Sequence, residues 1–113
     1  MKFAQILVPV AMAVLAVSST SAMAAVDADA AAALFKKNDC SKCHSVDKAK
    51  KGPALKKIAS KYKGKADGQA SIIKNITTGP KVKLDDGSEE DHKVIDTKDQ
   101  AALKNIADWI LAQ

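Results

Sequence analysis

The chain has 113 residues, with 18 lysines and no arginine against 13 acidic residues, for a net charge of +5. That length suits one small domain and excludes a second. A basic set built wholly of lysine speaks against nucleic acid as partner, since arginine is the side chain that forks onto guanine edges and phosphates.

Residues 1–24 read as a cleaved secretory signal peptide. Lys2 supplies a positive start, Phe3 to Val17 is an apolar run, and Ser18-Ser19-Thr20-Ser21 leads into the A-x-A site Ala22-Met23-Ala24. The run is short for a membrane span and contains Gln5 and Pro9, which sets an uncleaved anchor aside. The expected product is a periplasmic domain of residues 25–113 with no membrane span. A domain of that size has a thin core and needs a staple.

Asp29 to Lys37 predicts a short helix: Ala30 to Ala33 favour it, and Leu34 and Phe35 offer an apolar face. Ser45 to Pro53 is polar, lysine-rich and ends in Gly52-Pro53, so it reads as a loop. Leu55, Ile58, Ala59 and Tyr62 recur at helical spacing and predict a second helix. Gln69 to Thr77 predicts a third, with Ile72, Ile73 and Ile76 on one side and Gly79-Pro80 as its stop. Thr78 to Asp96 shows no periodicity beyond Val82 and Leu84 alternating with lysines, and reads as a long loop. Thr97-Lys98-Asp99-Gln100 predicts a T-x-x-Q capping box that opens a last helix. Leu103, Ile106, Ala107 and Ile110 mark its buried face, which should bring Trp109 or Ile110 toward Phe35. The pattern is all-α, with four or so short helices.

The chemistry lies in Cys40-Ser41-Lys42-Cys43-His44, which holds both cysteines and one of the two histidines. C-x-x-C-H reads as a c-type haem attachment site, with His44 as the proximal iron ligand. A thioredoxin-like dithiol would want a βαβ setting, and no strand is expected near Cys40. Structural zinc wants four ligands, and a histidine directly after the second cysteine is poorly placed to join both thiolates. A disulfide here would close a trivial loop, whereas a covalent haem gives a small exported chain a large apolar body to pack on.

On these residues the chain resembles a class I monohaem cytochrome c of the small bacterial type. The resemblance runs from about Ala32 to Gln113. It rests on Leu34-Phe35 before the motif, on Gly52-Pro53 after it, and on the ending Ile106-Ala107-Asp108-Trp109-Ile110-Leu111. It implies helices wrapped round one haem c, its iron included, bound through Cys40 and Cys43, in an electron carrier and not an enzyme. It also implies that the Pro53 carbonyl accepts a hydrogen bond from His44, fixing the tautomer that leaves Nε2 for iron.

The departure from the family is in the sixth ligand, which is usually a methionine in the loop before the last helix. Here the methionines are Met1, Met12 and Met23, all in the signal segment. His92 is the remaining imidazole and lies in that loop, so it is the expected second axial ligand; amid Glu89, Glu90, Asp91 and Lys93 it also reads as a solvated surface histidine. Lys81, Lys83 or Lys93 would have to lose a proton first. A five-coordinate iron would instead make the protein a haem sensor, gas binder or weak peroxidase.

Lys36 to Lys83 holds fourteen lysines against Asp39, Asp47 and Asp67, while Leu84 onward holds eight acids against Lys93, Lys98 and Lys104. Such a dipolar monomer is expected to dock on redox partner proteins with an acidic surface, at a rate that salt slows.

Overall fold

In the computed structural model, residues 25–113 are described; the signal-peptide reading of 1–24 lies outside the described residues. Among them are four α-helices: α1 (Ala28–Lys37), α2 (Leu55–Tyr62), α3 (Gly68–Thr78) and α4 (Gln100–Leu111). A 3-10 turn at Cys40–Lys42 and two short strands, β1 (Lys81–Lys83) and β2 (Glu89–Asp91), complete the set. The fold is all-α, with a small hairpin on the long loop. Among the described residues, no helix is long and apolar enough to cross a membrane.

The helix on which the others converge is α4, which packs against α1, α2 and α3. Its Leu103, Ile106, Ala107 and Ile110 fall at i, i+3, i+4 and i+7 and are all buried. They meet Ala31 of α1, Leu55 of α2, and Ile72 and Ile76 of α3, with Ile95 inserted from the preceding loop. Removing a leucine or isoleucine side chain of this size from water contributes about 1.5–3 kcal/mol. The expected meeting of the two terminal helices is present: the Phe35 and Trp109 rings lie edge to face with centroids 5.6 Å apart.

The first and last helices start on capping aspartates. Asp27 caps α1 by accepting from the Ala30 N–H at 3.0 Å. For α4 the expected Thr97–Gln100 capping box does not form. Asp99 is the cap, and its carboxylate accepts from the N–H groups of Ala101 (3.0 Å) and Ala102 (3.3 Å). Thr97 instead accepts from the Asp99 N–H at 3.2 Å, one step outside the helix. An ionised carboxylate both satisfies free N–H groups and meets the positive end of the helix dipole, so it wins over a hydroxyl.

The long loop is more ordered than its composition suggested. Lys81 pairs with Asp91, Val82 with Glu90 and Lys83 with Glu89 in antiparallel register. Each of the two end pairs sets a lysine opposite an acid, and Lys81 Nζ lies 3.1 Å from the Asp91 carboxylate. The turn is closed by Leu84 N–H donating to Ser88 O (2.8 Å) and Gly87 N–H donating to Leu84 O (2.9 Å). Gly87 takes φ 85°, which its missing Cβ permits.

Candidate haem site

The attachment segment begins where α1 ends. Asp39 takes the left-handed conformation (φ 60°, ψ 19°), which aspartate tolerates better than most residues and which turns the chain sharply. The 3-10 turn follows, held by Cys43 N–H on Cys40 O (3.1 Å) and His44 N–H on Cys40 O (2.9 Å). Side chains three apart eclipse in a 3-10 turn, so Cys40 and Cys43 share one face. Both are half-buried. Burial pushes the Cys40 thiol up, which keeps it protonated.

His44 is held from two sides. Its Nδ1 lies 2.7 Å from the Pro53 carbonyl oxygen. A carbonyl only accepts, so Nδ1 carries the proton and Nε2 keeps its lone pair. Gly52 lies against the ring: a Cβ built there would stand 2.7 Å from His44 Cε1, so only glycine admits the imidazole in this position. The Gly52 N–H also donates to Cys43 O at 2.8 Å, closing the loop back onto the motif. Burial holds the His44 pKa below its ordinary value, outweighing the Pro53 bond, and the His92 ring adds to the lowering.

His92 is turned inward and half-buried, not left among the surface charges that flank it. Its backbone N–H donates to Pro80 O at 2.8 Å. Its Nδ1 lies 2.8 Å from the Lys93 carbonyl oxygen, so this ring too is protonated at Nδ1 and keeps the Nε2 lone pair. The His44 and His92 rings lie near each other, with centroids 6.1 Å apart and planes inclined by 42°. An imidazole nitrogen sits about 2 Å from a bound transition metal and about 1.1 Å from its own ring centre. Two imidazoles sharing one ion in line should therefore have centroids about 6 Å apart, which fits this pair.

Three clefts open around this pair, and both histidines line all three. One, of ≈ 50 Å³, carries Cys40 and Cys43 with Phe35, Leu55, Ile76, Ile106 and Ile110. A second, of ≈ 450 Å³, is bounded by Pro53, Ile58, Tyr62, Ile72 and Pro80 with Lys61 and Lys81. A third, of ≈ 300 Å³, is lined by Gly52, Pro53, Val82 and Leu84 with Lys51, Lys57 and Lys83. Apolar walls around a histidine pair, with two thiols on one side, fit a flat, covalently tethered macrocycle. The lysines considered as ligands are engaged elsewhere in two of three cases. Lys81 pairs with Asp91, and Lys93 with Asp39 at 3.7 Å.

The expected residues Cys40, Cys43, His44, Pro53 and His92 are thus brought together. Sequence reasoning placed Gly52 only in a turn and did not connect it to the imidazole; a glycine directly before the proline was the available signal.

A family model described as Cytochrome c matches residues 28–113. The class 1 cytochrome MtoD of Sideroxydans lithotrophicus ES-1 is 54% identical in sequence, and its crystal structure superposes on 78% of this chain and 97% of its own with a TM-score of 0.75. Cytochrome c-552 of Nitrosomonas europaea is 36% identical over 95 residues, 74% of this chain and 79% of that protein. Cytochrome c-551 of Pseudomonas denitrificans is 50% identical over 48 residues, 42% of this chain and 58% of that protein. The chain belongs to the cytochrome c family as a small class I monohaem member, an electron carrier that holds one haem c and its iron covalently through Cys40 and Cys43.

Proposed function

We propose that this protein carries electrons in the periplasm with its haem iron held between His44 and His92. The observation that carries this reading is the 6.1 Å spacing of the two rings, each with Nδ1 on a backbone carbonyl and the Nε2 lone pair left for iron. The haem supplies a one-electron ferric–ferrous couple. Cys40 and Cys43 tether it, Pro53 and Gly52 fix the proximal imidazole, and Phe35, Ile106 and Ile110 keep water from one edge. Rigid placement of both imidazoles limits the rearrangement that accompanies a change of charge.

Export through cleavage of residues 1–24 would deliver the chain to the compartment where thioether bonds are made. The lysine-rich stretch from Lys36 to Lys83 carries the attachment motif and suits a partner with an acidic docking surface, met by a monomer. Raising ionic strength should slow that encounter.

Methionine raises the potential of a haem relative to a second imidazole. Redox titration of the purified protein is therefore expected to give a midpoint below that of a methionine-ligated relative. The ferric spectrum is expected to be low-spin without a sulfur-to-iron charge-transfer band. A high midpoint, or that band, would overturn the ligation.

A further inference from the structure

The segment that carries His92 is tied down at three backbone positions. His92 N–H donates to Pro80 O (2.8 Å), just past the end of α3, and Ile95 N–H to Ile76 O (2.8 Å) in its last turn. The third tie crosses to the other side of the site: Asp96 N–H donates to Asn38 Oδ1 at 3.0 Å, across 58 residues of chain. Asn38 closes α1 and stands two residues before Cys40. Its amide is used at both ends, since Nδ2 donates to Leu34 O at 2.9 Å and so fixes the direction in which Oδ1 points. Among the described residues, the other side-chain link between these two segments is Lys93 to Asp39 at 3.7 Å. Both of its side chains are about half exposed, so it contributes little.

We propose that Asn38 is a positioning residue for the sixth iron ligand: it clamps the His92 segment to the attachment turn and thereby sets how often His92 leaves the iron. This inference rests on His92 being that ligand. The chemistry asks for an amide, because the residue must donate to one backbone and accept from another at once. Aspartate keeps only the acceptor, and alanine neither. Opening of the segment breaks the Asp96 bond, so loss of that bond destabilises the closed form alone and raises the open fraction.

The test uses ferric holoprotein and cyanide as the probe of the sixth site. At saturating cyanide the binding rate is limited by departure of His92. Asn38→Ala should raise that rate about fivefold, the equivalent of one ordinary hydrogen bond. Asn38→Asp keeps an acceptor but loses the Nδ2 bond to Leu34 O that aims it, and should give a rate between those of the wild type and the alanine variant. Should the alanine variant not fold, Asn38→Leu, close in shape and without an acceptor, removes the same long-range bond and is read in its place.

Asn105 gives the control. It makes a comparable pair of hydrogen bonds with the backbone of Asp27, Oδ1 accepting from its N–H (2.8 Å) and Nδ2 donating to its carbonyl (2.9 Å), at the far end of α1, away from the His92 segment. Asn105→Ala should lower thermal stability but leave the cyanide rate unchanged. The proposal is overturned if both alanine variants speed cyanide equally, which would mean general loosening, or if Asn38→Ala leaves the rate unchanged while His92→Ala raises it. If His92→Ala itself binds cyanide no faster than wild type, the ligation reading falls and this inference with it.

Discussion

His44 and His92 stand ring to ring at 6.1 Å, and each imidazole is pinned through Nδ1 to a backbone carbonyl, Pro53 on one side and Lys93 on the other. The two segments that hold them meet nowhere in sequence, being separated by α2, α3 and the hairpin. Their closeness is a product of the packing around α4. The same packing makes several side chains outside the motif decisive for it.

Gly52 is the first. A methyl group there would meet His44 Cε1 at 2.7 Å, so the ring or the Gly52–Pro53 turn must move. Gly52→Ala is expected to cost about 1–3 kcal/mol, the usual range for overpacking a tight site. Thermal unfolding should register the loss, and the ferric spectrum should show a partly high-spin population as the proximal bond lengthens. An unchanged melting temperature and spectrum would show that the turn yields freely.

Gly79 plays the corresponding part on the distal side. It ends α3 with φ 61° and ψ 53°, and a Cβ there would lie 2.9 Å from the His92 carbonyl oxygen. Alanine in the left-handed region costs about 1–2 kcal/mol before any clash is counted. Gly79→Ala should therefore lower stability by at least that amount and weaken ligation by His92. Denaturant titration checks the first effect, and carbon monoxide uptake by the ferrous form checks the second.

Helix capping separates two neighbouring residues. Asp99→Ala removes the acceptor for two N–H groups and a charge at the positive end of α4, and should cost about 1 kcal/mol. Thr97→Ala removes one bond outside the helix and should cost less. Equal losses in denaturant melts would contradict this assignment of the cap.

Acid should loosen the proximal side. Burial lowers the His44 pKa below 6.5, so between that folded value and 6.5 the unfolded chain binds more protons than the folded one. Stability therefore falls as pH drops through this window, and iron at Nε2 acts in the same direction by holding the neutral ring. The denaturant midpoint of the holoprotein should be lower at pH 5 than at pH 7.5, above the range where most carboxylates titrate. A midpoint that rises toward acid would contradict this sign.

Much of this was legible in the residues. Helical spacing located α2, α3 and α4, because a buried stripe such as Leu103, Ile106, Ala107 and Ile110 leaves a periodic trace, and alanine propensity located α1. The motif and the missing methionine singled out His44 and His92. The hairpin was not legible from apolar alternation, since Glu89-Glu90-Asp91 has no apolar residue; its signals were lysines opposed to acids and the Asp86-Gly87 turn. Thr97 was preferred as cap because T-x-x-Q fits a known pattern, while the competing Asp99 sits two residues closer to the helix. Contacts such as Gly52 on His44 and Asn38 on Asp96 depend on distant segments meeting, and no local pattern encodes them.

The central claim is that His92 closes the sixth position, and the most direct measurement is carbon monoxide uptake by the ferrous protein, wild type beside His92→Ala. The wild type is expected to stay low-spin and to bind carbon monoxide slowly or not at all, whereas His92→Ala turns high-spin and binds it rapidly. Rapid uptake by the wild type, or identical spectra for the two proteins, would contradict the ligation.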